Sequence, residues 1–170
     1  MQPGRARSRV ETAILTAGGE GQALRELARY DEAEQAFLKV IEISGDDSAA
    51  AIFGEIGNLH RAKGDFGAAI SWYQKQIDVD PNDAIGYLYL GNILMRQGKF
   101  ADSETAFKNA LKCEQVCLDE VHYSLGLVYR CMGRLTEAKT HFEESIEWDD
   151  QFTEAKTALK DVKSAMKAPQ

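Results

Sequence analysis

Residues 53–81 read FGEIGNLHRAKGDFGAAISWYQKQIDVDP, and two helix-period stripes can be picked out on either side of a glycine. Phe53, Ile56, Gly57 and His60 stand at i, i+3, i+4 and i+7, so they share one face of a first helix. Ala69, Tyr73, Gln76 and Ile77 make the facing stripe of a second. Gly64 lies just past the first stripe, where a left-handed residue closes a helix C-terminus without strain. Pro81 cannot continue the second helix and marks a crossover. A glycine inside a helix, as at Gly57, costs about 0.8–1.0 kcal/mol relative to alanine. Close approach of the partner helix is what offsets that cost.

The same pattern recurs along the chain. The pairs Ile56-Gly57, Leu90-Gly91 and Leu125-Gly126 are spaced by 34 and 35 residues, as are Gly64, Gly98 and Gly133. Phe37, Tyr73, Phe107 and Phe142 follow with gaps of 36, 34 and 35. Period and pattern together resemble the tetratricopeptide repeat, which implies an all-α, right-handed superhelical solenoid of helical hairpins. On that reading the array covers residues 14–152, in units 14–49, 50–83, 84–118 and 119–152. The first is degenerate, with Glu20 in the leucine slot, Gly18, Gly19 and Gly21 crowded together, and Ser48 and Ala49 as extra linker residues. Gln115 and Asp150 replace the proline of Pro81 in the last two units. A capping helix is expected over 153–167, because Phe152, Ala155, Leu159, Val162 and Met166 form one apolar face. Lys156, Lys160, Lys163 and Lys167 form a solvated stripe on the same segment. Residues 1–13 are expected to be disordered and 168–170 to fray.

Charge narrows the function classes. The net charge is -7, but residues 1–30 carry five Arg against three acids and residues 153–170 four Lys against two. The acidity is therefore concentrated in the middle of the chain, Asp46-Asp47 and Asp149-Asp150 included, which disfavours nucleic acid as a partner. No apolar run approaches a membrane span. Three cysteines, Cys113, Cys117 and Cys131, suit a reducing compartment, and a cytoplasmic location is expected.

No phosphate-binding loop, metalloprotease helix or nucleophile elbow is present in the sequence. His60 and His122 fall in aromatic packing slots, and His141 follows Ala138 by three; all three read as packing residues. Cys113, Cys117, Asp119 and His122 match no compact zinc spacing, and the cysteine pair reads as one turn at the end of a second helix. No cofactor, metal or catalytic residue is expected.

A binding face is expected instead, on the side of each first helix not used to pack its hairpin. It comprises Asn58 and Arg61; Leu88, Tyr89, Asn92, Met95 and Arg96; and Tyr123, Leu127 and Arg130, with Ile85 extending the apolar part. Asparagine amides offer a peptide backbone both donor and acceptor, and the arginines select acidic character. The expected ligand is a protein segment, apolar with acidic groups. The resemblance implies a scaffold or adaptor, with a secretion-type or assembly chaperone and a fragment of a larger repeat-containing enzyme as alternatives. Cochaperones of this family hold acidic chaperone tails with a two-carboxylate clamp of Lys, Asn and Arg. Here Asn58 matches one clamp position, whereas Gly54, Tyr89, Glu120 and Ser124 occupy the others. The sequence leaves the oligomeric state open.

Overall fold

The computed structural model describes residues 16–45, 49–114 and 116–167. The expectations for residues 1–13, Asp46-Asp47, Ser48, Gln115 and 168–170 lie outside them. Among the described residues all regular structure is α-helical. Helix α1 runs over 16–26. It is followed by α2 (Tyr30–Ser44), α3 (Ala50–Lys63), α4 (Phe66–Val79), α5 (Ala84–Arg96), α6 (Phe100–Ala110), α7 (Leu118–Cys131), α8 (Leu135–Trp148) and α9 (Thr153–Ala165).

Each hairpin has a short turn that closes by the same backbone logic. Gly64, Gly98 and Gly133 take φ of 80°, 74° and 75°. The residue after each returns its N–H to a carbonyl five positions back, His60, Leu94 and Tyr129 in turn. The first hairpin repeats the geometry without the glycine: Ala28 sits at φ 57°, and Arg29 N–H reaches the Leu24 carbonyl. Helix starts are less uniform. Asp65 accepts from Ala68 N–H at 3.0 Å and Asp83 from Ile85 N–H at 2.9 Å, whereas Arg29, Lys99 and Arg134 provide no side-chain cap.

Inside each hairpin one glycine meets one aromatic ring sixteen residues later. A Cβ placed on Gly21, Gly57, Gly91 or Gly126 would fall within 2.7, 2.5, 2.6 and 2.5 Å of the rings of Phe37, Tyr73, Phe107 and Phe142. The expected close approach of the helices is thus observed, and it extends to the first hairpin through Gly21. Ser103 takes the place that Ala33, Ala69 and Ala138 fill elsewhere. Its buried hydroxyl donates to the Gly91 carbonyl at 2.7 Å, so the polar substitution leaves no unmet group.

The chain divides into two compact units at Pro81/Asn82. The first, α1 to α4, is centred on Ala33, Phe37, Ile56 and Leu59. The second, α5 to α9, is centred on Leu88, Phe107, Val121, Leu125 and Phe142, and is closed by Ala158 and Val162 of α9. Helix α9 is therefore the expected cap: it packs on α8 and touches α7, with Ala155, Ala158 and Val162 buried. Met166, assigned to that apolar face, lies past the helix end and is 45% exposed.

One local expectation is corrected. Cys113 and Cys117 do not share a helical turn: α6 stops at Ala110, Cys113 lies in the following turn, and Cys117 is the residue preceding α7. The spacing from Phe107 to Gly126 is one residue longer than from Tyr73 to Gly91. The connection between α6 and α7 absorbs that residue by leaving the helix early.

Candidate protein-binding face

On α5 of the second unit, Ile85, Tyr89, Asn92 and Arg96 fall at i, i+4, i+7 and i+11, which aligns them along one side of the helix. Ile85 is 51% exposed, Tyr89 and Asn92 are half-buried and Arg96 is exposed. On α7, which touches α5, Tyr123, Leu127 and Arg130 make the corresponding stripe. Tyr123 is held by the rings of Phe142 and Phe152, at 5.8 and 4.9 Å between centroids. Tyr123 and Arg130 also line a surface concavity with Thr153, Glu154, Thr157, Ala158 and Asp161 of α9, so acidic side chains share the space of Arg130. Leu88 differs from the rest: at 6% exposure it belongs to the core, where Met95, Tyr123 and Leu127 pack against it in part. It turns inward because Leu88 and Gly91 lie one turn apart on the flank that meets α6 and α7. The accessible apolar part of the face is Ile85 and Tyr89 rather than Leu88.

In the first unit, Asn58 and Arg61 lie on α3. Asn58 Oδ1 accepts from Tyr73 Oη at 2.9 Å and from Arg61 Nη2 at 3.4 Å. Its acceptor is thus engaged within the hairpin, and what it offers a peptide is its N–H pair rather than both functions. Gly54 faces Gln76, with a Cβ placed there 2.6 Å from Oε1, and Ser124 on α7 is buried.

Three family descriptions match the chain: "Tetratricopeptide repeat" over 19–47, "TPR repeat" over 57–98 and "Tetratricopeptide repeat" over 83–147. The chain belongs to the tetratricopeptide repeat family. It is 27% identical over 128 residues, 74% of its length, to DnaJ homolog subfamily C member 7 of Mus musculus, and 27% identical over 103 residues, 61% of its length, to the CTR9 homolog of Arabidopsis thaliana. It spans only 26% and 9% of those two relatives. Among solved structures it resembles the first tetratricopeptide domain of Spaghetti (RPAP3) bound to the HSP90 peptide SRMEEVD, with a TM-score of 0.67 and 24% identity over 70% of this chain and 94% of that one. It also resembles Pseudomonas aeruginosa pilF, with a TM-score of 0.81 and 19% identity over 92% and 70%. At such identities the likeness is one of fold. No described helix is long and apolar enough to cross a membrane.

The tetratricopeptide register also explains two polar clusters. Glu104 on α6 accepts from Tyr129 Oη at 2.9 Å and pairs with Lys108 at 2.6 Å and Arg134 at 3.2 Å. Lys108 first, then Tyr129 and Arg134, hold its carboxyl below the ordinary range. One hairpin is thereby tied to the next within the second unit. In the first unit Glu34 reaches His60 at 3.3 Å from the same direction.

The second cluster joins α7 to α8. His122 Nδ1, His141 Nδ1 and Glu144 Oε2 lie 2.8–3.0 Å from one another. The His141 ring stacks between Tyr129 and His122, at 5.2 and 5.3 Å, and burial pushes its pKa down. Of Cys113, Cys117, Asp119 and His122, whose spacing fits no compact zinc motif, only His122 enters this group. The sequence did hold a signal. His122 and His141 occupy the repeat slots of Phe53 and Trp72, whose rings touch at 5.7 Å, so the period itself pairs the two histidines.

Proposed function

We propose that this chain is a protein-interaction scaffold that holds a segment of a partner against the first-helix face of its hairpins. The observation that carries the reading is the α5 stripe Ile85, Tyr89, Asn92, Arg96 beside Tyr123, Leu127 and Arg130 of α7: apolar and aromatic surface rimmed by amide and guanidinium donors. Buried apolar area gains roughly 25 cal/mol per Å², and the arginines discriminate by charge at the face itself. Family membership supports the class, and the RPAP3 neighbour shows a peptide held by a domain of this fold. The partner is an extended or helical segment with apolar anchors and at least one acidic group. With Glu154 and Asp161 beside Arg130, that acid is expected near Arg96.

Partners that co-purify with the native chain, identified by mass spectrometry, provide the segment as a synthetic peptide. A micromolar dissociation constant corresponds to about -8 kcal/mol, and loss of one anchor of about 2 kcal/mol weakens binding roughly thirtyfold. Tyr89→Ala and Arg96→Glu are each expected to weaken binding at least tenfold with helicity unchanged. Lys160→Glu, on α9 away from the stripe, is expected to leave it intact. Loss of binding with Lys160→Glu and retention with both α5 variants would transfer the function to α9.

A further inference from the structure

We propose that His122, His141 and Glu144 form a site for one first-row divalent transition cation, bridging α7 and α8 and completed by solvent. The three donor atoms converge: His141 Nδ1 is 2.8 Å and His122 Nδ1 2.9 Å from Glu144 Oε2, and the two ring nitrogens are 3.0 Å apart. An imidazole nitrogen has one in-plane site, carrying either a proton or a lone pair. With the carboxylate ionised, two such nitrogens and one carboxylate oxygen satisfy at most two of the three short contacts, whichever ring carries a proton at Nδ1. The third sets two lone pairs or two N–H groups against each other. A single cation seated against all three atoms removes the conflict.

The dimensions agree. Ligands about 2.1 Å from a metal in neighbouring octahedral positions are about 3.0 Å apart, and two imidazoles with one carboxylate on a common side are a known donor set for such ions. Imidazole nitrogen also selects against magnesium and calcium, which take oxygen ligands. The donor atom Glu144 Oε2 is itself buried, while the side chains around it are partly exposed, 14% and 19% for His122 and His141 and 39% for Glu144. Tyr129 stacks on the His141 ring, and the Lys108 ammonium is near enough to act on His141 electrostatically, a repulsion that a bound cation must outweigh.

Comparison with the other hairpins argues against simple packing. The slots of His122, His141 and Glu144 hold Phe53, Trp72 and Lys75 two repeats earlier, and Tyr87, Ala106 and Asn109 one repeat earlier. There the Phe53 and Trp72 rings pack together with Lys75 Nζ 3.9 Å over the Trp72 ring, an arrangement with no cation site. Only in the last hairpin are both ring positions imidazoles and the third position an anion.

The test titrates Zn2+ into the full chain, stripped of metal by chelator, by calorimetry. It is carried out in a background with the exposed thiols removed, Cys117→Ser and Cys131→Ser, so that they do not compete. One equivalent is expected to bind at micromolar or tighter affinity, and Glu144→Gln and His122→Phe are each expected to weaken it at least tenfold. His122→Phe restores the side chain of the Phe53 slot, and Glu144→Gln alters a half-exposed group, so both variants should fold. Imidazole nitrogen NMR supplies an independent reading: the His122 and His141 resonances are expected to move on adding one equivalent while those of His60 stay. Absence of binding at 100 µM Zn2+, equal binding by both variants, or a shift confined to His60 would each overturn the site and leave a hydrogen-bonded histidine pair.

Discussion

At the scale of single residues, the repeat is enforced by contacts that tolerate almost no added atoms. Phe107 is fully buried, and its ring lies where the first side-chain atom of any residue at position 91 would fall. Gly91→Leu should therefore destabilise the second unit by about 1–3 kcal/mol through overpacking, read as a lower urea midpoint with unchanged slope. Ala28 presents the opposite case. It holds a left-handed conformation that costs an L-residue roughly 1–2 kcal/mol, in the turn position where the other three hairpins have glycine. Ala28→Gly should stabilise by up to about 1 kcal/mol, the gain being trimmed by the greater freedom of glycine in the unfolded chain, and a rise in thermal midpoint checks it. Glu104 adds a pH dependence. Its folded pKa is depressed below the ordinary 4.5, so its stabilisation is present above that value and lost as pH falls through the lower folded one. Glu104→Gln should thus cost about 1 kcal/mol at pH 7, with the gap to wild type narrowing progressively as pH is lowered below 4.5 in a series of urea titrations.

At the scale of helices, what could be read from sequence depended on whether a residue acts within its own period. Gly57, Gly91 and Gly126 were legible because the pattern that placed them in a helix also demanded a close neighbour. The hairpin turns were legible because glycine at a left-handed position is rare in other roles. Leu88 was misplaced because a helix flank that meets two neighbours is wider than the stripe facing its own hairpin partner, so the outer boundary of the core is not a property of one helix. The end of α6 escaped for a related reason: one extra residue can be taken up at several points of a connection, and only packing selects among them. Helix α9 was legible, since its alternation of apolar and lysine stripes persists for three turns. Ala158 and Val162 close the second core, and burying a valine side chain is worth about 1.5–3 kcal/mol. Deleting residues 153–170 should lower the thermal midpoint and uncover the side of the second core that Ala158 and Val162 close, seen as increased binding of an apolar dye. An unchanged midpoint would make α9 an ornament of the second unit rather than its cap.

At the scale of the whole chain, charge distribution and the side chains at individual slots act in the same direction on one class of ligand. The peptide SRMEEVD bound by the RPAP3 neighbour carries three acidic side chains and a terminal carboxylate against one arginine. A fold that holds such a tail needs cations where its carboxylates arrive. In this chain the first lysine slot is Gly54, where even a Cβ would strike Gln76, so a longer side chain there requires Gln76 to move. Ser124 is buried, and Glu120 adds a negative charge that burial and Asp119 make harder to form but do not turn into a cation. Tyr89 stands in the second asparagine slot, and Asn58 has its acceptor engaged with Tyr73. The segment between the basic ends is strongly acidic, and its field repels an anionic peptide over a Debye length of about 8 Å at physiological salt. Direct recognition and long-range steering therefore both fail. Fluorescently labelled SRMEEVD should show no saturable binding up to tens of micromolar, and raising the salt concentration should not rescue it, because screening removes repulsion without supplying the missing cations. Saturable low-micromolar binding would mean that the carboxylates find Arg61, Arg96 or Arg130 by another route. Arg96→Glu would then abolish it, and the acidic anchor assigned to the natural partner would be the terminal carboxylate itself.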